Sequence, residues 1–435
     1  TRLLNGVSSQ TFSKIGDSNA ADAIKRVSGV STENGKYVYV RGLGDRYTKT
    51  LLNSMEIPGL DPDRNTIQMD IFPTNVIDNI IVYKTFTPDL PADFTGGVVD
   101  ITTKDFPEEQ FTKLSASVSY NPNSNMRSDF RSYEGGSTDK FGYDDGTRAL
   151  PFLRSTIIPD ESTNSLSLQI LTGSFSKEMA AKNSDSGVNS SFSFSHGDQK
   201  NIGKKTVGYI AALNYKSDYT HYEDALFESY IVNPSTLLMT KETQKSGAIS
   251  TKNVLLSGLI GTSIKNKRNK IGLSYLIIQN GEDKAAKLVT LDFDDNPSTI
   301  IRDVLQYSQR TVHNVKVNGK HSLADSKITA NWDISTTLIE VDEPDIRSTG
   351  FELTPSGDYL IQPSIGADIS RTFRNLNEQV INGKADLEYK FTQWSGLESK
   401  AKIGFNMLNK DRDYFIQDYV FRVSSQNSLN LGGDP

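Results

Sequence analysis

From residue 112 onward, apolar and polar residues alternate with a period of two, and this constrains the fold more than any other feature. Leu114, Ala116, Val118 and Tyr120 alternate with Lys113, Ser115, Ser117 and Ser119. Ile328, Ala330, Trp332, Ile334 and Leu338 alternate with Thr329, Asn331, Asp333 and Ser335. The runs holding Leu387, Tyr389 and Phe391, and Ala401, Ile403, Phe405 and Met407, repeat the pattern. Strands of this kind set one face against an apolar medium and wet the other. A soluble β-sandwich would give the same alternation, which therefore leaves the medium open.

Connection lengths narrow the choice. Nine strands are expected near 112–121, 187–197, 204–217, 251–264, 268–280, 305–321, 327–340, 376–391 and 398–412. The links between them alternate, with long ones at 122–186, 218–250, 281–304 and 341–375. Long loops of this size are uncommon in compact soluble domains. Short turns on one rim and long loops on the other are the pattern of an outer-membrane β-barrel. The lipid-facing side chains are then Leu114, Val118, Phe192, Phe194, Ile328, Trp332, Ile334, Leu387, Tyr389, Phe391, Ile403 and Phe405. Tyr215, Tyr219, Tyr222 and Tyr230 read either as an aromatic girdle or as loop anchors.

Composition agrees with this and closes other routes. Net charge is −6, so no basic field points to nucleic acid. Cysteine is absent, which removes disulfides and thiolate metal sites. No apolar run approaches the roughly 20 residues of a membrane helix, a test to which membrane strands are invisible. The four histidines are scattered, and neither a nucleophile elbow nor a phosphate-binding loop occurs, so no enzyme is expected. The acidic clusters Asp139, Asp144 and Asp145, and Asp292, Asp294 and Asp295, read as solvated loops or as structural calcium sites. No other cofactor is expected. The chain opens at Thr1 without an apolar leader and stops in loop-like sequence, so both ends read as incomplete.

The first hundred residues have a different character. Residues 1–16 show no strong period. Asp17 or Ser18 offers an N-cap for a helix through Ala20, Ala21, Ala23, Ile24 and Val27, with Gly29 just past its end. Strands are expected at Tyr37–Arg41, 51–57, Asn79–Lys84 and Val98–Thr102. Gly42 and Gly44 break the first of these, but Tyr47 occupies the third glycine position of a dinucleotide fingerprint, which therefore fails. Pro58–Asn65 is a turn-rich loop whose acids lack EF-hand spacing.

Taken in order, Val40-Arg41-Gly42, then Ile77-Asp78-Asn79-Ile80-Ile81-Val82-Tyr83-Lys84, then Phe94-Thr95-Gly96-Gly97-Val98-Val99-Asp100-Ile101-Thr102-Thr103-Lys104 resemble the plug domain of TonB-dependent outer-membrane receptors. Val99 and Asp100 depart from that family's closing motif, and Leu52–Pro58 departs from its Leu-x-Asp-Gly-Val hairpin. The run Arg41-Gly42-Leu43-Gly44-Asp45-Arg46-Tyr47 and Asp61–Asn65 resemble a Bacteroidota-type subgroup that often carries a carboxypeptidase-regulatory-like domain upstream. The phrase typical of the starch-utilisation subgroup is missing.

The resemblance implies an α+β plug domain at 1–105 inside a transmembrane antiparallel β-barrel, of which 106–435 is the N-terminal part. Plugged barrels have about 22 strands, so nine are a fraction of the wall. It further implies active import of a bulky or scarce ligand across the outer membrane of a Gram-negative bacterium of the Bacteroidota, with TonB pulling on the plug from the periplasm. The plug apex would offer Arg46, Tyr47, Asp61, Asp63 and Arg64 to ligand, or else to the external loops. Arg41, Gly42, Gly96 and Gly97 would form the plug–barrel motif. Arg41 would then be buried against acidic residues of the inner wall, or else be an exposed strand-end arginine. The glycine pair would let the chain turn where the plug leaves its sheet for the wall. A second function remains open, that of a structural subunit held among other outer-membrane proteins or surface lipoproteins. A third is an extracellular soluble β-protein with an adhesive role.

Overall fold

A computed structural model describes residues 4–433, apart from 34, 45, 62–63, 65–66, 106, 108, 294–296, 325–326, 362–366 and 422–428. The small domain holds β1 (Leu4–Ser8), α1 (Ser9–Ile15), α2 (Ala20–Ile24), β2 (Val30–Glu33), β3 (Tyr37–Val40), β4 (Thr48–Leu52), β5 (Met55–Glu56), β6 (Ile77–Tyr83) and β7 (Gly97–Thr103). Its main sheet runs β1-β6-β7-β4-β5, with β4 and β7 parallel, and β2-β3 form a separate hairpin. Helix α2 buries Ala20, Ala21, Ala23 and Ile24, the face expected from their spacing. Its cap is Asn19, whose side chain accepts from the Asp22 amide at 2.9 Å. Asp17 instead pairs with Arg26 at 2.6 Å, so the cap falls one residue after Ser18 and two after Asp17, the two expected candidates. β1 and α1 lie in a stretch where no periodicity is visible, because among the residues described there only Val7 and Phe12 are buried.

The second unit is one antiparallel sheet, here called the wall. It consists of β8 (Phe111–Ser119), β11 (Asn189–Ile202), β12 (Lys205–Val232), β13 (Met239–Lys265), β14 (Asn269–Asp292), β15 (Ser298–Leu323), β16 (Ile328–Leu353), β18 (Ile369–Thr392) and β19 (Glu398–Phe421) in spatial order. Short strands β9 (Phe130–Ser132) and β10 (Lys182–Ser184) pair with each other, and β17 (Tyr359–Ile361) links β16 to β20 (Leu429–Asn430). The nine expected strands are all present, but most are far longer than expected. β12 runs for 28 residues and β14 for 24, so the stretches read as loops at 218–250, 281–304 and 341–375 are mainly continuations of the strands. Sequences such as Glu282-Asp283-Lys284 hid this, because beyond the apolar band both faces of a strand carry polar residues and the alternation vanishes.

Residues that pair across the ladders share a face, so the register assigns every side chain. Leu114 pairs with Phe194, Trp332 with Ala385, Leu387 with Ile403 and Ala385 with Phe405. All twelve expected apolar residues fall on the face turned away from the small domain, and Leu114, Ile334, Leu387, Ile403 and Phe405 are at least half exposed. The opposite, inward face meets the small domain. Val40, Ile77, Ile80, Val99 and Ile101 form one continuous apolar core with Leu259, Leu276, Ile278, Val312 and Ile339 of the wall.

Among the described residues, 122–186 is the long connection with least strand, holding only β9 and β10. It crosses the outward face as a strap. Its anchors in order include Ser124 Oγ, which accepts from the His221 amide at 3.1 Å, and the Asp144 amide, which donates to Gln309 Oε1 at 2.7 Å. Further on, the Ala181 amide donates to Asp303 Oδ1 at 3.0 Å. Helix α3 (Glu161–Ser174) lies within it. Beneath the strap, Asp345 takes Arg347 and Arg371, each at 2.9 Å, and all three are buried. Asp139 and Asp144 direct their oxygens to Arg148, at 2.6 and 2.8 Å. Asp294 and Asp295 lie outside the described residues, and Asp292 ends β14.

Candidate functional site

Two features of the small domain carry the geometry. The first is a polar network beside the β2-β3 hairpin. Arg64 forks onto Glu33 at 2.5 and 3.3 Å and lies 4.2 Å from the centre of the Tyr37 ring. The Tyr37 hydroxyl donates to Asp61 Oδ2 at 2.7 Å and accepts from Gln68 Nε2 at 3.0 Å. Tyr39 Oη adds a 2.8 Å bond to Glu33. The bonds from Arg64 and Tyr39 hold the Glu33 carboxyl below its ordinary range, while burial and the Asp61 carboxylate push the Tyr37 phenol up. Lys36, at the tip of the same hairpin, pairs with Glu282 on the inward face of β14. Thus Asp61 and Arg64 come together through Glu33 and Tyr37, two residues not expected at the site. They sit on a separate hairpin, and only the run Glu33 to Tyr39, with one acid and two tyrosines around Gly35, could have hinted at them. Arg46 and Tyr47 stand apart, exposed in the turn before β4. Asp63 lies outside the described residues.

The second feature fastens the small domain to the wall. The β4-β5 turn is built on Asn53 and Ser54, both left-handed at φ 54° and 64°. Asn53 Oδ1 accepts from the Thr103 amide at 2.8 Å, and Asp100 accepts from the Ser54 amide and hydroxyl at 2.9 and 2.8 Å. Burial raises the Asp100 carboxyl above the ordinary value, against the pull of those bonds. The turn then meets the wall, where Lys316 donates to the Asn53 carbonyl at 3.0 Å and pairs with Asp333 at 2.9 Å. Asn382 donates to the Glu56 carbonyl at 3.1 Å, and Lys384 to the Asp89 carbonyl at 3.2 Å.

Two expected roles change. Arg41 is exposed, not buried against wall carboxylates. With Gly42 it forms a tight turn, φ 58° and 75°, closed by reciprocal bonds between Val40 and Leu43 at 3.2 and 3.0 Å. Both central residues are left-handed, the geometry of a type I′ turn, which explains the Arg-Gly step without a buried charge. The pair Gly96-Gly97 lies at the start of β7, whereas the chain leaves for the wall after Thr103. A Cβ on Gly97 would stand 2.8 Å from Val40 Cγ1 and 2.9 Å from the Tyr83 carbonyl oxygen; one on Gly96 would stand 3.1 Å from Leu43 Cβ. Close packing at the sheet entrance, not the exit turn, requires these glycines. Tyr215 and Tyr219 prove to be strap anchors: Tyr215 donates to the Lys140 carbonyl at 3.0 Å, and Tyr219 meets Phe130 edge to face at 5.6 Å.

The architecture is that of an α+β plug domain seated on a large antiparallel sheet. Residues 4–98 match the sequence model of the TonB-dependent Receptor Plug Domain family. A search of curated proteins finds no match. Solved structures that align with nearly the whole chain include the outer membrane transporter YddB from Escherichia coli, at 11% identity over 96% of this chain and 54% of that one, with a TM-score of 0.36. The ferripyoverdine receptor of Pseudomonas aeruginosa aligns at 9% identity over 96% and 54%, with a TM-score of 0.33. The ferric citrate transporter FecA aligns at 11% over 95% and 60%, with a TM-score of 0.32. The chain spans little more than half the length of these three structures.

Proposed function

We propose that this chain is the leading part of a TonB-dependent outer-membrane receptor that imports a bulky or scarce ligand into the periplasm of a Gram-negative bacterium. The observation that carries the reading is the plug-domain match joined to a single apolar core shared by that domain and the inward face of the wall. In a completed barrel a domain held this way would close the pore, and displacing it would take work against the shared core. TonB, drawing on the inner-membrane proton gradient, would supply that force. The network of Glu33, Tyr37, Asp61 and Arg64, with Arg46, Tyr47 and Asp63 nearby in sequence, is the proposed ligand face. The outward apolar band would meet lipid. The Arg41–Tyr47 run and Asp61–Asn65 support assignment to the Bacteroidota-type subgroup with an upstream carboxypeptidase-regulatory-like domain.

The test is growth of a deletion strain on candidate nutrients beside TonB-depleted cells. The two should share one nutrient defect, and Arg64→Ala with Glu33→Gln should reproduce it without loss of the protein from the membrane. A deletion defect that persists unchanged when TonB is depleted would overturn the reading. A second reading, as an accessory subunit of an outer-membrane assembly, is favoured by the strap, which exposes Leu153, Ile157, Leu166 and Ile170 by 64% or more. Co-purification with other outer-membrane proteins would favour it.

A further inference from the structure

Between the strap and the outward face of the wall lies a cavity of about 270 Å³ that is separate from the plug. Its floor is one transverse row of the sheet. Tyr219 pairs with Lys252, Lys252 with Asp283 and Asp283 with Tyr307, so four side chains from four strands stand side by side. The strap supplies the roof through Phe130, Tyr133 and the Gly135-Gly136 pair. A Cβ would fall 2.0 Å from Asp139 Oδ2 at Gly135 and 2.5 Å from Asp145 Oδ1 at Gly136, so a larger residue at either would push a roof carboxylate aside.

The floor is polar and incompletely satisfied. Tyr307 is 1% exposed, yet its hydroxyl has no hydrogen-bond partner, and neither has Asp283 Oδ1. Orphaned buried groups of this kind are costly and call for an explanation. Tyr307 is held in place by Arg148, whose guanidinium lies 4.2 Å from the ring centre, so its hydroxyl cannot simply turn away to solvent. Exposed Ser137 and Ser184 at the rim leave the cavity reachable.

We infer that this cavity binds a neutral, hydroxyl-rich ring, a single saccharide unit. Its size is just below the range of pockets for drug-sized ligands, about 300–1,000 Å³, and so suits one ring. Asp283 and Tyr307 would accept from and donate to hydroxyls, Lys252 would donate, and the Phe130–Tyr219 pair would face the ring's C–H edge. The lining carries both signs, Asp185 and Asp283 beside Lys140 and Lys252, with Asp139 already paired to Arg148, and so favours a neutral ligand over an anion. A metal ion is disfavoured because, among the described residues, no three His, Asp or Glu side chains converge. The row lies directly beyond the apolar band: on β14 the outward residues Ile271, Leu273 and Ile277 are followed by Gln279, Gly281 and Asp283. The sugar could therefore come from a glycolipid headgroup of the outer leaflet or from a free glycan. The inference does not depend on transport.

The full chain, purified in detergent, would be titrated by saturation-transfer NMR with glucose, galactose and N-acetylglucosamine, and separately with lipopolysaccharide micelles. At least one probe should saturate with a Kd of about 1 mM or tighter. Asp283→Asn and Tyr307→Phe should each weaken it by about fivefold or more, the loss of one hydrogen bond. Lys252→Gln, on the same row, should weaken binding likewise and serves if either variant fails to fold. Saturation by micelles alone identifies the glycolipid source, and saturation by free sugars the soluble one. No saturation by any probe, or variants that bind as the parent does, would overturn the inference.

Discussion

Lys316 donates to the main-chain carbonyl of Asn53, 3.0 Å away and 263 residues distant in sequence, while pairing with Asp333 on the next wall strand. One ammonium thus ties the plug's β4-β5 turn to the wall. Hydrogen bonds to charged groups contribute about 1.5–3 kcal/mol. Lys316→Met should therefore loosen the 53–56 hairpin by about that amount, seen as faster hydrogen exchange there while the core of β6 stays protected. Unchanged exchange at 53–56 would show that the contact restrains nothing.

The outward placement of Leu387 and inward placement of Lys384 predict opposite tolerance. Leu387→Arg should cost about 2–4 kcal/mol if it lies near the membrane midplane, because the charge faces hydrocarbon. Lys384→Arg should cost little, since it keeps a cation beside the Asp89 carbonyl. Gel mobility with and without heating separates them. Equal behaviour of the two variants would contradict the facing.

At the entrance of β7, Gly97→Ala forces a methyl group against both a side chain and a carbonyl, and should cost about 1–3 kcal/mol as overpacking. Gly96→Ala should cost less, because its nearest contacts begin at 3.1 Å. Gly42→Ala meets no atom within 4 Å but is left-handed at φ 75°, so its penalty is backbone strain of about 1 kcal/mol. Thermal unfolding of the three variants should rank them in that way, with Gly97→Ala lowest.

Lys104 follows β7, and burial, with Lys113 nearby, pushes its ammonium down to about 8. An unfolded lysine titrates near 10.4. Its folded value is the lower of the two, so the native state resists protonation and gains stability as pH rises from about 8 toward 10. The gain is on the order of 1–2 kcal/mol, below the full shift because the group keeps some solvent contact. Melting curves from pH 7 to 10 should show the rise, and Lys104→Met should abolish it. A parent protein with a flat profile over that range contradicts the placement.

Much of this was legible in sequence where an apolar face recurs. Helix α2, β3, β6 and β7 each bury a regular set, and the nine wall strands show their lower halves as alternation. Their upper halves do not, since Glu282, Asp283 and Lys284 place charge on both faces and the period disappears. The strap's course was equally hidden: nothing in residues 122–186 says which face they will cross, although 149–175 holds only Arg154, Asp160 and Glu161 as charges and so reads poorly as a free loop. At the ligand face, Asp61 and Arg64 were visible as a polar turn, but Glu33 and Tyr37 reach them only through the folding of a separate hairpin. Arg41 misled because its motif suggests a buried charge, while the backbone needs only a left-handed pair.

The length of β12 has a consequence for how anything reaches the plug. Twenty-eight residues at about 3.3 Å each make a strand of about 90 Å, or about 70 Å in height at a barrel tilt near 40°. An apolar belt about 25 Å tall accounts for only a third of that. In the receptor proposed above, such strands would raise the doorway tens of ångströms above the cell's own surface, so that a passing molecule would be met by a chimney well before it could touch the membrane.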